Sequence, residues 1–160
     1  MTVERPYANE ELEREIVLSR VIDAPAELVY RAWVDPERMF QWFGPTGYRC
    51  EASSQSETRA GEVRRFVMIA PDGQRFDSRM TFLEVIPDKR LVFEHGSDMD
   101  DDPQRFRTTV TLDQQGNGKT VLTLRQLHPS KARRDWGIGI GAVELGYQTL
   151  GKLCDFLARR

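Results

Sequence analysis

The chain has 160 residues, 39% of them hydrophobic and 30% charged, and its 23 basic and 25 acidic residues leave a formal net charge of -2. A chain of this length forms one domain that buries about 70% of the surface its unfolded form exposes, which leaves little for a second core. The two signs of charge are interspersed, so no basic stripe is available for a phosphate backbone and nucleic acid is excluded as a partner; no apolar run approaches the roughly 20 residues that span a bilayer.

The opening, MTVERPYANEELER, is polar and contains no signal-peptide apolar stretch, so the expected location is the cytoplasm. Residues 1–12 show no sustained periodicity and are expected to form a flexible N-terminal segment before a single domain over 13–160. Residues 13–22, EREIVLSRVI, form a β-rich run that predicts the first strand. In DAPAELVYRAW, Pro25 occupies a first helical position, Glu27 falls in the first turn, and Leu28, Val29, Ala32 and Trp33 recur at helical spacing. A second helix starts at Asp35-Pro36-Glu37, where an aspartate cap precedes a proline whose missing N–H costs nothing, and Gly44-Pro45 ends it.

From residue 48 to 127 the pattern changes to short β runs separated by the turns APDG (70–73), PDK (87–89) and GNG (116–118). The runs RRFVMIA, RFDSRMTFLEVI, RLVFEHG, RFRTTVTLD and KTVLTLRQL are joined too tightly for parallel crossovers, which predicts an antiparallel meander. Alternation places Phe66, Met68, Phe76, Met80, Phe82, Phe106, Thr108, Val110, Leu122 and Leu124 on one face, and Arg65, Arg79, Arg105, Arg107 and Arg125 on the other. That arginine row reads as a solvated face, with an anionic docking surface as the alternative.

Ser130 is placed to cap a helix that runs to about Ala158, with Ile140, Val143, Tyr147, Leu150, Cys154 and Leu157 spaced as one apolar stripe. At 1.5 Å per residue such a helix is on the order of 40 Å long and crosses the sheet. Gly137, Gly139, Gly141 and Gly146 each cost roughly 1 kcal/mol against alanine if helical. Either they let the helix approach the sheet closely, or they mark a flexible gate beside an internal space; failing both, the helix starts later than Ser130.

Motifs with direct chemical meaning are scarce. Gly139-Ile140-Gly141-Ala142 does not complete GxGxxG and sits in no βαβ unit. The acidic run Asp98, Asp100, Asp101 and Asp102 has Pro103 where a calcium loop needs glycine, so it reads as a solvated turn. Neither His95 and His128 nor Cys50 and Cys154 have metal-ligand spacing; the cysteines read as buried thiols, and neither a metal nor a cofactor is expected. Glu84, Glu94 and Glu144 would serve in acid–base chemistry only inside a pocket that shifts their pKa values, and no catalytic constellation is visible. The informative excess is aromatic, from Trp33, Trp42 and Phe43 to Trp136 and Tyr147. A strongly curved sheet gripping one helix seldom fills its own interior, which leaves a pocket for an apolar ligand.

Four strings, IDAPAELVYRAWVDPERMFQWFGP, APDGQRF, EVIPDKRLVFE and GAVELGYQTLGKLCDFL, occur in the order of a known family. Over about residues 13–158 the chain resembles the SRPBCC superfamily, also called START-like or Bet v 1-like. Within it, the resemblance is to the branch named for the C-terminal domain of the activator of heat-shock protein 90 ATPase. It implies an α+β helix-grip fold, β-α-α-β6-α, in which a curved antiparallel sheet of about seven strands wraps a long C-terminal helix around a hydrophobic cavity. Where the family often has Gly-Trp entering the last helix, this chain has Gly146-Tyr147.

The leading functional expectation is a binding protein for a small, mostly apolar molecule. Trp33, Phe66, Met68, Met80, Phe82, Phe106 and Tyr147 are the expected contacts, and His128 or Glu144 the polar anchors. The alternatives are a polyketide cyclase- or hydrolase-like enzyme using His128, Glu144 or Tyr147, and a co-chaperone whose partner docks on the arginine-bearing face.

Overall fold

The computed structural model describes residues 9–159. Among them, seven strands form one antiparallel sheet and five helices accompany it: α1 (Asn9–Glu13), β1 (Glu15–Ile22), α2 (Ala26–Val34), α3 (Pro36–Met39), β2 (Arg49–Ala52), β3 (Val63–Ile69), β4 (Arg75–Ile86), β5 (Arg90–Ser97), β6 (Phe106–Gln114), β7 (Thr120–Leu127), α4 (Lys131–Gly139) and α5 (Ala142–Ala158). The N-terminal segment expected to be flexible lies largely outside the described residues; its last part opens the short helix α1.

The sheet order is β1-β7-β6-β5-β4-β3-β2, a meander from β2 to β7 with β1 added beside β7. The two edge strands are thus consecutive in sequence, and α2 and α3 carry the chain between them. The tight reversals are made where the sequence permits positive φ, at Gly73 (87°), Asp88 (62°) and Gly118 (79°). Asp35 caps α3 as its sequence position suggests, its carboxylate accepting from the Glu37 N–H at 3.0 Å.

The inward face of the sheet carries Leu18, Phe66, Met80, Phe82, Phe93, Val110 and Leu122, each at most 2% exposed. Trp33 of α2 meets Trp42 edge to face, with centroids 4.8 Å apart, and α5 adds buried Leu150, Leu153 and Leu157. Phe76 is opposite Met68 on the face that alternation assigns, but near the start of β4 it is 42% exposed and adds little to the core.

Arg64 reverses the ordinary expectation for a charged side chain, being 1% exposed on the same side of β3 as Phe66. Its guanidinium donates to the carbonyls of Trp33 (3.0 Å) and Val34 (2.9 Å) and to the Thr58 hydroxyl, and lies 4.9 Å above the Phe82 ring. It therefore satisfies carbonyls that the end of α2 leaves open and ties that helix to the sheet. Burial lowers its pKa to about 10, opposed by Asp35, so it stays charged at neutral pH.

The expected long C-terminal helix is two helices. Ser130 does cap its start, accepting from the Arg133 N–H at 3.0 Å, but α4 ends at Gly139 and α5 begins at Ala142 after Gly141 takes a left-handed φ of 94°. The 17 residues of α5 span about 25 Å. At Gly146 the second helix comes so close to β1 that a Cβ would run into Leu18 Cδ1. Close approach and interruption both occur, at different glycines.

On the outer face four of the five arginines pair with acids, while Arg105 donates to the carbonyls of Ser97, Met99 and Asp100. Arg65 and Arg79 stand opposite each other across β3 and β4, and Asp98 accepts from both, at 3.1 and 2.8 Å. Arg107 meets Glu94 at 3.3 Å and Arg125 meets Glu15 at 3.7 Å. Asp102 of the acidic turn accepts from the Ser97 N–H and hydroxyl. The row is charge-balanced and solvated except at Arg79, whose side chain is 12% exposed, and its exposed pairs add little stability individually.

Candidate ligand pocket

Between the sheet and the helix break lies a pocket of about 270 Å³. Its floor is the inward face of β5–β7: His95 and Phe106, cross-strand partners, then His128 just beyond β7, with Gln126 and Leu124 at successive inward positions of the same strand. Trp33 of α2, Phe43 and Pro45 of the following loop, and Met68 of β3 form one wall. Its cover is α4 and the start of α5, with Arg133, Trp136, Gly137 and Ile140 at one helical spacing, then Leu145 and Thr149. Two wider surface grooves, about 750 and 660 Å³, lie at the start of α2 and beside α3, lined mainly by charged and polar side chains.

The wall loop is held by α5. Lys152 Nζ donates to the carbonyls of Pro45 (3.1 Å) and Tyr48 (2.9 Å), and Gln148 accepts from the Thr46 N–H at 3.1 Å. Gly44, at φ 106°, lets this loop pass Met68, whose Cε would lie 3.1 Å from an added Cβ.

The polar groups of the pocket sit among rings. His95 has Phe43, Phe66 and Phe106 at centroid distances of 5.7, 6.0 and 5.4 Å, and desolvation lowers its pKa to about 4. His128 stacks on Phe106 at 4.9 Å; burial, and then the charges of Arg133 and Arg134, lower its pKa as well. Both imidazoles are therefore neutral at pH 7, each offering one donor and one acceptor. Among the described residues, both buried ring nitrogens of His128 and the buried Trp33 Nε1 have no hydrogen-bond partner. No carboxylate or hydroxyl among these residues bonds either imidazole, so the pocket holds hydrogen-bonding capacity without an assembled proton relay.

The family model described as activator of Hsp90 ATPase homolog 1-like protein matches residues 23–157. The chain belongs to this family, within the SRPBCC superfamily. Solved structures of the same fold include a Chromobacterium violaceum protein, 28% identical, with TM-score 0.73, covering 89% of this chain and 95% of that one. The AHSA1 protein of Silicibacter pomeroyi is 24% identical with TM-score 0.71, over 90% of this chain and 97% of that one. An Arthrobacter aurescens protein reaches TM-score 0.84 at 18% identity, over 94% and 90% of the two chains. No curated protein matches the chain. Membership accounts for the seven-stranded helix-grip architecture, and among the described residues no helix is long and apolar enough to cross a membrane.

Of the side chains expected at a cavity, Trp33, Met68, Phe106 and His128 line the pocket of this family member. Phe66 stacks on His95 from outside the lining, Met80 is the cross-strand partner of His95 within the core, and Phe82 lies beneath Arg64. Glu144 is exposed in the first turn of α5. Tyr147, 40% exposed next to the close contact at Gly146, turns to β1, where its hydroxyl accepts from the Ser19 N–H at 3.5 Å. The lining residues His95, Gln126, Arg133 and Trp136 were not anticipated. Gln126 follows by period 2 from Leu124 and His128, and Arg133 and Trp136 lie at helical spacing from Ile140 of the predicted stripe, so their polar or aromatic character at a helix start, and not their position, hides them.

Proposed function

We propose that this protein is a cytoplasmic binding protein for a small, largely apolar molecule held between β5–β7 and the α4–α5 break. The observation that carries the reading is the juxtaposition of aromatic and aliphatic walls with unpartnered buried polar atoms on Trp33 and His128. An apolar body gains by leaving water, and a buried donor or acceptor without a partner costs about 1–3 kcal/mol that a ligand or water at the site can offset. The volume lies below the roughly 300–1,000 Å³ typical of drug-sized ligands, which favours a molecule of one or two rings. The cytoplasmic part of the reading draws on Cys50 and Cys154 being free thiols, with burial pushing Cys50 up to about 11.

The test is a thermal-shift screen of one- and two-ring compounds, followed by titration of tryptophan fluorescence, since Trp33 and Trp136 line the site. Binders are expected to raise Tm and change the emission. Leu145→Trp, at the rim where the native side chain is 36% exposed, should weaken them at least tenfold by filling the entrance. A screen with no binder, or binders indifferent to that substitution, would overturn the reading.

A further inference from the structure

We infer that the ligand of this pocket carries an anionic group, a carboxylate or sulfonate on a one- or two-ring apolar body, and that Arg133 recognises it; this rests on the ligand-binding reading above. Among the described residues, Arg133 is the only one lining the pocket with a permanent charge, and no acidic residue lines it. Its neighbours on α4 have an acidic partner: Lys131 and Arg134 share Asp135, at 2.9 and 2.7 Å. The Arg133 guanidinium has no hydrogen-bond or acidic partner among the described residues, and it lies 3.9 Å over the Trp136 ring.

Stacking of this kind holds the guanidinium plane while leaving its N–H edge free, the geometry that suits a planar two-oxygen anion. The surroundings favour the same charge. Gln126 and the neutral imidazoles of His95 and His128 bring dipoles without countercharge, and the rings of Trp33, Phe43 and Phe106 keep the local dielectric low, which strengthens a pair formed there. A cationic ligand would meet Arg133 with no acid to receive it, and a wholly apolar one would leave the arginine's donors to water.

The experiment compares naphthoate with naphthalenemethanol, matched in ring and size, by calorimetry and tryptophan fluorescence on the full chain. Naphthoate is expected to bind at least tenfold tighter at low salt and to lose much of that advantage at high salt. Arg133→Gln should bring the ratio of the two affinities close to one, and Arg133→Lys should keep part of it, because charge survives while the fork is lost. The Arg133 side chain makes no hydrogen bond among the described residues, so both variants are expected to fold. Equal affinities in the unaltered protein, or an acid preference that survives Arg133→Gln, would overturn anion recognition and leave ligand binding standing. Binding of neither probe, together with an empty apolar screen, would overturn both.

Discussion

His95 and His128 face the pocket without charge, and this makes fold stability depend on pH in a defined direction. In the unfolded chain each titrates near 6.5; in the folded chain burial drops His95 to about 4 and lowers His128 too. Between these values the unfolded state binds more protons, so stability is complete above pH 6.5 and falls as pH drops toward 4. For His95 the loss is roughly 1.4 kcal/mol per pH unit across that window, and His128 adds to it in the same direction. His95→Phe preserves the ring stack and removes one titrating group. The urea midpoint should therefore drop clearly between pH 7 and 5 for the unaltered protein and by less for the variant; equal drops would assign the effect to other groups. Alternation assigns most inward residues, and period 2 from Phe66 and Phe93 puts Arg64 and His95 on the same face, but it does not say why polar side chains are tolerated there. An imidazole surrounded by three rings and an arginine bonded to the end of α2 depend on contacts far apart in sequence, and local pattern carries no trace of those.

Among the elements, the strands and the first two core helices were readable because period, turn chemistry and caps agree there. The C-terminal region was half readable. Its apolar stripe and the Ser130 cap are local features, whereas whether a glycine is tolerated inside a helix or ends it depends on what surrounds it. The break itself belongs to Gly141, and within the helices Gly139 and Gly146 differ in what surrounds them. A Cβ at Gly139 meets nothing within 4 Å, so Gly139→Ala should stabilise by up to about 1 kcal/mol through helix propensity alone. At Gly146 the same change drives a methyl into buried Leu18, and the strain should outweigh that gain, for a net loss of roughly 1–2 kcal/mol. Leu18→Val alongside Gly146→Ala should recover part of the loss. Chemical denaturation of the four proteins decides it: a Gly146→Ala variant as stable as the parent would mean that α5 shifts away from β1 freely.

For the whole molecule, the pocket separates a strongly packed part from a weakly packed one. Sheet, α2 and α5 share one core that includes Leu150, Leu153 and Leu157, while α4 buries only Gly137 and leaves Trp136, Ile138 and the following Ile140 at 50, 43 and 57% exposure. Local stability follows buried apolar contact, so α4 should open at lower free energy than the rest, bounded by the Gly141 break on one side and Pro129 on the other. Hydrogen exchange measures this directly: amides over 134–139 are expected to exchange at least tenfold faster than those over 150–157. A saturating pocket ligand should slow α4 more than α5, because Arg133, Trp136 and Ile140 gain a partner on their inner side while the α5 core is already full. Uniform slowing across the chain would indicate general stabilisation with no closure of the cover, and no slowing in α4 would place the ligand away from this pocket.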